Sequence, residues 1–335
     1  MNVKDKTGKL SAEKLGRLLG RYTSTRCPNL LIGPKVGLDA AAIAVEKGAL
    51  VLATDPVTYA VDQIGRYAVH INANDIFASG AEPQWFMADI LLPPGQVRLA
   101  EQIFAQIRQA CRELGRVHLI GGHTELTPGL DRPIVAGFMI GVAPRRRILA
   151  ADRVQPGDAI ILTKGVAIEG TAVLASELEK KLLAELPQAT VRRAKRLLKS
   201  PGIGIGREAR IAVRCGARAM HDPTEGGVLN GLWEMSAAAG VAIHVDPTKI
   251  PILPETQCLC EHLGINPLKL LASGSLVIAC PPRSAGRMLK ALTSGGVRAF
   301  QIGWAKKGKP GVHLGKRKVI RRSITDDILK VLSLH

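Results

Sequence analysis

The sequence predicts a mixed α/β (α+β) protein with two domains, and three observations support this prediction. The chain has 335 residues, which is long for one compact domain. Short apolar runs typical of strands alternate with helical patterns along its length. A proline and three arginines at 144–147 interrupt the alternation. We therefore place the first domain at 1–148 and the second at 149–335.

In the first domain, strands at 40–45 and 49–53 flank the turn residues Glu46-Lys47-Gly48 and predict a hairpin. A helix at 65–79 ends at Gly80 because glycine favours helix ends. The remaining predicted elements are a strand at 84–92, a helix at 97–114, a strand at 117–120 that runs into a Gly121-Gly122 turn, and an apolar strand at 133–142.

The second domain begins with a strand at 159–163 after the turn Pro156-Gly157-Asp158. Helices are predicted at 169–186, 190–198 and 206–215, followed by a strand at 217–221. Gly226-Gly227 opens a helix that ends at Gly240. Strands at 241–245, 275–279 and 297–302 then alternate with helices at 255–263 and 284–292 and from 325 onward.

Composition limits the classes of function. Aromatic residues make up only 3% of the chain, which argues against a base-stacking surface for single-stranded nucleic acid. The net charge of +18 is concentrated in basic clusters at 192–199 and 306–322, which we interpret as solvated surface. Nucleic acid is therefore not an expected partner. Six scattered cysteines without a CxxC pair, a polar amino terminus and short apolar runs predict a soluble cytoplasmic protein outside the membrane.

Four aspartates stand at the ends of predicted elements. Asp39 and Asp55 lie at equal distances from the hairpin turn, so an antiparallel pair brings both carboxylates to the same open end. Asp75 follows Asn74 on an otherwise apolar helix, and Asp222 ends a strand. Each alone is typical of a turn or cap, but gathered carboxylates repel and favour a hard cation such as Mg²⁺.

Two glycine pairs indicate phosphate contacts. Gly121-Gly122 follows a buried strand, where ligands meet sheet ends, and Gly226-Gly227 offers backbone N–H groups at a helix start. Neither the Walker A nor the GxGxxG motif is present.

Five motifs in order resemble the aminoimidazole ribonucleotide (AIR) synthetase superfamily, and within it the HypE-type hydrogenase maturation proteins. They are GLDAAAI (37–43), TDP (54–56), INANDIFASGAEP (71–83), GGHTE (121–125) and HDPTEGGV (221–228), and LLASGSLVIAC (270–280) fits the second domain of that family. The resemblance covers nearly the whole chain. It implies a PurM/HypE-like fold whose amino-terminal mixed sheet dimerises.

The resemblance also implies ATP and Mg²⁺ as cofactors. The matched metal positions are Asp39, Asp55, Asp75 and Asp222. The matched nucleotide positions are Asn74, Gly121, Gly122, Thr124, Asp222, Gly226 and Gly227. Asp75, His123 and Glu125 are the catalytic candidates. Phosphoryl transfer depends mainly on charge neutralisation and alignment, which suits this set.

Two departures from the HypE pattern limit what is carried over. His123 replaces an acidic ligand in the GDT turn, so either Glu125 substitutes, or fewer carboxylates hold the metal, or His123 has another role, including a plain hydrogen bond in the turn. HypE carries its substrate on a carboxy-terminal cysteine, whereas this sequence reads Leu-Ser-Leu-His at 332–335. We therefore expect no HypE reaction on its own tail.

The leading hypothesis is an enzyme that phosphorylates a carbonyl or carboxamide oxygen to activate it. The substrate would be a free small molecule or an amide group carried by a maturation partner protein. One alternative is a small-molecule kinase of the thiamine-phosphate kinase type. The other is a non-catalytic ATP-binding accessory protein of hydrogenase maturation.

Overall fold

The computed structural model describes residues 10–23, 28–316 and 318–332. These residues form two β-sheets with helices packed against them. The helices are α1 (Ala12–Tyr22), α2 (Ile64–Ala78), α3 (Val97–Leu114), α4 (Ile168–Glu177), α5 (Glu179–Glu185), α6 (Gln188–Arg196), α7 (Gly206–Arg214), α8 (Gly227–Ala239), α9 (Pro254–Leu263), α10 (Pro282–Ser294) and α11 (Leu329–Leu332).

The strands of the first sheet are β1 (Leu30–Ile32), β2 (Ala41–Val45), β3 (Gly48–Val57), β4 (Glu82–Leu92), β5 (His118–Leu126) and β6 (Ile134–Ala143). Those of the second are β7 (Ala159–Thr163), β8 (Ala219–His221), β9 (Ala242–Val245), β10 (Val277–Cys280), β11 (Ala299–Lys306), β12 (Gly311–Leu314) and β13 (Lys318–Ile320). None of the described helices is both long and apolar enough to cross a membrane.

The first sheet is mixed, as predicted, with the strand order β1-β2-β3-β6-β4-β5. Only β4 and β5 are parallel neighbours. The predicted hairpin is confirmed: β2 and β3 are antiparallel, and Val45 pairs with Gly48 across the turn. Since Ala41 pairs with Leu52, the residues that flank the pair, Asp39 and Asp55, lie at the same end.

Helix α2 is the central element of the molecule. Every residue of it except Arg66 is buried, because it packs against β3 and β6 on one side and α7 of the second half on the other. A helix enclosed on all sides has no solvated face, so its polar residues must find partners in the protein.

The second sheet has the strand order β13-β12-β9-β11-β7-β10-β8. Strands β7, β10 and the edge strand β8 are buried at every position, which explains their continuous apolar sequences. One core cluster lies between this sheet and α8, and the other continues into the first half of the chain. The domain boundary after residue 148 stays a prediction.

Three features differ from the sequence prediction. The predicted helix 169–186 is divided into α4 and α5 at Leu178. Strand β5 does not stop at a Gly121-Gly122 turn but continues to Leu126. The sequence prediction also omitted β1, β12 and β13, which are only 3 or 4 residues long, and α1, a surface helix without a buried residue.

A buried carboxyl group in α4 makes stability depend on pH. Glu169 is 3% exposed, and burial raises the pKa of its carboxyl group to about 7, although hydrogen bonds from Ser273 act in the opposite direction. The unfolded chain therefore releases this proton at lower pH than the folded protein does. The contribution of Glu169 to the free energy of unfolding is therefore fully present below about pH 4. It is lost as the pH rises from about 4 to 7.

We expect Glu169→Gln to leave stability near pH 4 unchanged and to raise it at pH 8 by up to about 3 kcal/mol, because an uncharged amide avoids the buried charge. Urea denaturation at several pH values measures this. The matched control is Glu101→Gln on the exposed side of α3. Equal pH profiles for Glu169→Gln and the wild type would contradict the assignment.

Candidate active site

A cavity of about 500 Å³ lies at the open end of the β2–β3 hairpin, between the two halves of the chain. Seven carboxyl residues line it: Asp39, Asp55, Asp75, Asp222, Glu225, Glu234 and Asp326. Lys35 and His221 are the cationic side chains among the described lining residues. The cavity is therefore strongly acidic. An anionic ligand would be repelled from it unless cations were bound as well.

Three of these carboxylates meet at one point. Asp39, Asp75 and Asp222 each place an oxygen within 4.8 Å of the others. Asp39 precedes β2, Asp75 lies on α2, and Asp222 follows β8, so both halves of the chain contribute. Oxygen ligands from separate elements around one centre are what Mg²⁺ requires.

Asp222 carries the strongest electrostatic strain. It is 1% exposed, and neither of its carboxyl oxygens has a hydrogen-bond partner from another residue in the described chain. Burial, followed by the charge of Asp39, raises its pKa well above the ordinary value, while His221 lowers it. A cation bound among Asp39, Asp75 and Asp222 would compensate this buried, unpaired group, so the predicted metal site fits the residues present.

Asp55 lines the same cavity but lies outside this three-residue cluster. Asn72 on α2 fixes its backbone: the Asp55 N–H donates to Asn72 Oδ1 at 2.8 Å, and Asn72 Nδ2 donates to the Asp55 carbonyl at 3.0 Å. A side chain at Gly137 on β6 would lie 2.3 Å from Asn72 Nδ2, so glycine is required there. The sequence analysis did not identify Asn72.

A histidine bridge orients Asp39. His221 Nδ1 lies 2.5 Å from Asp39 Oδ1, and its Nε2 lies 3.1 Å from Glu234 Oε2 on α8. Burial lowers the pKa of His221, but Asp39 and Glu234 outweigh burial and hold the pKa well above its usual range. The sequence analysis included His221 only as part of the motif HDPTEGGV. It did not identify Glu234, which lies 13 residues further along the chain on α8.

The side chain of Asn74 is engaged within the protein, and its predicted role in nucleotide binding stays a prediction. Its Nδ2 donates to the Ile203 carbonyl at 2.9 Å, and its Oδ1 accepts from the Ile205 N–H at 3.0 Å. Asn74 does not line the cavity, because it points from α2 toward the second half of the chain. It joins the two halves of the chain and thereby positions its neighbour Asp75.

The predicted phosphate-binding N–H groups of Gly226 and Gly227 are also engaged. The Gly226 N–H donates to Asp326 Oδ2 at 2.7 Å, and the Gly227 N–H donates to the Thr224 carbonyl at 3.1 Å. The expectation of free donors at this helix start is therefore wrong in this structure. A carboxylate of the chain itself already serves as the anion at the start of α8.

The GGHTE residues do not form a turn at the cavity. Gly121, Gly122, His123, Thr124 and Glu125 all lie on β5, whose residues are exposed throughout, and none lines the cavity of the same chain. A bulge near Gly121 and the positive φ of Gly122 let β5 stay paired with β4. His123 Nε2 lies 3.2 Å from Glu125 Oε2. This contact fits the plain hydrogen-bonding role.

Two surface segments border the cavity. Leu10 to Leu15, at the start of α1, line one side, and residues 323–326 line another. Asn230 Oδ1 accepts from the Ile324 N–H at 3.0 Å and holds the second segment against α8. Lys35 donates to the Ala238 carbonyl at 2.7 Å at the cavity edge.

This fold and this cavity define a class of protein. Residues 37–143 match the AIR synthase related protein, N-terminal domain, and residues 155–315 match the corresponding C-terminal domain. The chain belongs to the AIR synthase-related family.

The proteins with similar sequences include hydrogenase maturation proteins and a dikinase. The chain is 31% identical over 263 residues to a carbamoyl dehydratase HypE of Rhodobacter capsulatus, covering 76% of this chain and 74% of that protein. A putative hydrogenase expression/formation protein of Methanocaldococcus jannaschii is 29% identical over 88% of both chains. A selenide, water dikinase of Myxococcus xanthus is 27% identical over 91% of this chain and 92% of that protein.

Solved structures agree on the fold. A hydrogenase maturation protein HypE superimposes with a TM-score of 0.70 at 24% identity, covering 86% of this chain and 92% of that one. A thiamine monophosphate kinase of Aquifex aeolicus gives 0.66 at 21% identity, covering 84% and 92%. The predicted family, two-part α/β architecture and enzyme class are thereby confirmed.

Removing the strained charge tests the carboxylate cluster. We expect Asp222→Asn without metal to be more stable than the wild type by about 1 kcal/mol or more, a few degrees in Tm, because the repulsion among the three carboxylates falls. Mg²⁺ should then stabilise the wild type but not the variant. Thermal melts in EDTA and in millimolar Mg²⁺ measure both effects.

Asp131→Asn, an exposed site away from the cavity, is the control with the same charge change. A lower Tm for Asp222→Asn in EDTA, with an unchanged response to Mg²⁺, would refute the cluster as a cation site.

Proposed function

We propose that the protein is an ATP- and Mg²⁺-dependent enzyme that phosphorylates a carbonyl or carboxamide oxygen and so makes it a leaving group. The observation that carries this proposal is the buried cluster of Asp39, Asp75 and Asp222 inside an acidic cavity. A HypE structure in complex with ATP, with the same fold, supports the choice of nucleotide.

Different residues of the site hold the cation and position its ligands. Asp39, Asp75 and Asp222 hold Mg²⁺, with Asp55 beside them as a further carboxylate. The bound ion supplies charge neutralisation for the transferred phosphoryl group. His221 and Glu234 keep Asp39 in place, and Asn72 fixes the backbone that carries Asp55. Fixed ligands require little reorganisation during transfer.

The buried thiols of the described chain are poor candidates for the acceptor. Among the described cysteines, Cys111, Cys215, Cys260 and Cys280 are buried, and Cys258 is partly exposed. Burial raises the pKa of Cys280 to about 11, so this thiol is a poor nucleophile at neutral pH. We therefore propose a free small molecule or a group presented by a partner protein. A solved structure of a HypE–HypF complex, whose fold resembles this chain, supports the choice of a partner protein.

We also propose that the protein is a homodimer formed through the first sheet. Strand β5 is the edge of that sheet, and it exposes Leu119, Ile120 and Leu126. An exposed apolar edge strand is a ready surface for pairing. In such a dimer, His123, Thr124 and the neighbouring glycines would lie close to the cavity of the partner subunit.

A kinase of the thiamine-phosphate type remains the second candidate, because that enzyme shares the fold. Product analysis separates the two: a stable phosphorylated product indicates a kinase, whereas ADP, free phosphate and a dehydrated or cyclised product indicate a synthetase. A third candidate, a non-catalytic accessory protein, predicts ATP binding without turnover.

Calorimetric titration of ATP tests the nucleotide site. We expect binding that requires Mg²⁺ and a loss of at least about tenfold in affinity for Asp75→Asn, because one of three cation ligands is removed. Asp131→Asn serves as the control. Metal-independent binding, or full affinity in Asp75→Asn, would overturn the assignment of the cluster.

The dimer is tested by analytical ultracentrifugation. We expect the wild type to sediment as a dimer and Ile120→Lys to be a monomer, because a buried lysine at the edge would be unpaired. Leu183→Lys, at an exposed apolar position on α5, should remain dimeric. A monomeric wild type would exclude the dimer.

A further inference from the structure

The outer part of the second sheet has one face without a covering layer. Helices cover both sides of β7, β8 and β10, but β11, β9, β12 and β13 are covered only on the side facing α8. On the other side Trp304 is 44% exposed and Val319 41%. We call this surface of β11, β9, β12 and β13 the open face.

Strand register places a row of rings across the open face. Trp304 on β11 pairs with His244 on β9, which pairs with His313 on β12, which pairs with Val319 on β13. The rings of His244 and His313 are stacked, with centroids 4.2 Å apart and planes inclined by 7°. The two imidazoles therefore face each other across β9 and β12, with Trp304 on the neighbouring strand β11.

A second row on the same face has cations at its ends. Lys306 pairs with Ala242, which pairs with Gly311, and the Arg321 side chain lies 3.3 Å from where a Cβ of Gly311 would be. Ala242 and Gly311 are buried, whereas Lys306 and Arg321 are exposed. Anionic groups of a ligand can therefore reach both cations beside Trp304.

The cations around the open face lack acidic partners. In the described part of 306–322, none of the basic residues forms an ion pair with a carboxylate; they are Lys306, Lys307, Lys309, Lys316, Lys318, Arg321 and Arg322. Arg317 lies outside the described residues. The other cluster differs: Arg193 pairs with Glu255 and Lys195 with Glu179. Thus only the second cluster offers uncompensated charge on a surface with exposed rings.

We propose that the open face binds single-stranded nucleic acid, with a base stacked on Trp304 and phosphates on the surrounding cations. Stacking on a ring requires an exposed base face, which a duplex hides. An acidic protein would satisfy the cations but would leave Trp304 without a role. Burial, His313 and Lys306 lower the pKa of His244, which favours the neutral form of the ring beside Trp304.

This proposal revises the expectation drawn from composition. A 3% aromatic content argues against a stacking surface only if the rings are dispersed. The structure concentrates a tryptophan and two imidazoles on one sheet face, next to the cluster that the enzymatic function does not use.

Fluorescence anisotropy with a labelled 15-nucleotide oligo(U) tests the proposal. We expect micromolar binding at 100 mM salt, roughly tenfold weaker binding for Trp304→Leu and near wild-type binding for Trp304→Phe, because only the ring supports stacking. Lys306→Gln combined with Arg321→Gln should reduce the slope of log K against log salt by about 1.4. Arg193→Gln with Lys195→Gln, the same charge change elsewhere, should leave the slope unchanged.

Each variant is first shown to bind ATP like the wild type, which establishes its fold and separates this test from that of the proposed function. Three results would overturn the proposal: no oligo(U) binding at 50 µM protein and roughly 100 mM salt, equal affinity for duplex, or unchanged affinity in Trp304→Leu. Binding of poly-glutamate in place of oligo(U), sensitive to the Lys306 and Arg321 changes, would assign the open face to an acidic protein instead.

Discussion

The repulsion among Asp39, Asp75 and Asp222 is the constraint on which the rest of the site depends. Carboxylates this close, with Asp222 almost fully buried and without a hydrogen-bond partner from another described residue, separate unless the surrounding structure holds them. Two side chains supply that restraint from outside the cluster. His221 holds Asp39 through a bridge to Glu234, and Asn74 anchors α2 next to Asp75. In the proposed function, a bound cation would relieve this repulsion.

The same residues connect the two halves of the chain. Asp39 and Asp75 belong to the part that carries the first sheet, whereas Asp222, His221 and Glu234 belong to the part that carries the second. A relative displacement of the halves would separate the three carboxylates. The proposed cation site therefore depends on the alignment of the two halves. The enclosure of α2 on all sides makes such a displacement costly, because the whole helix would have to be repacked.

Features set by local sequence were predictable, and features set by distant contacts were not. The two-residue hairpin turn fixes the register of β2 and β3, so the joint position of Asp39 and Asp55 follows from the sequence. Gly121-Gly122 has the local signature of a turn, but pairing with β4 extends the strand through it. The partners of Asn74 lie about 130 residues away at Ile203 and Ile205, and no local pattern reveals them.

The hydrogen bond from Gly226 to Asp326 spans 100 residues of sequence and bears on the order of events during synthesis. The wall of the cavity formed by residues 323–326 does not exist until long after α8 has been made. A nascent chain that ends before this segment already contains Asp39, Asp75 and Asp222, but its cavity lacks this wall. Nucleotide therefore cannot assist early folding of the chain, and premature binding to a half-made site is avoided.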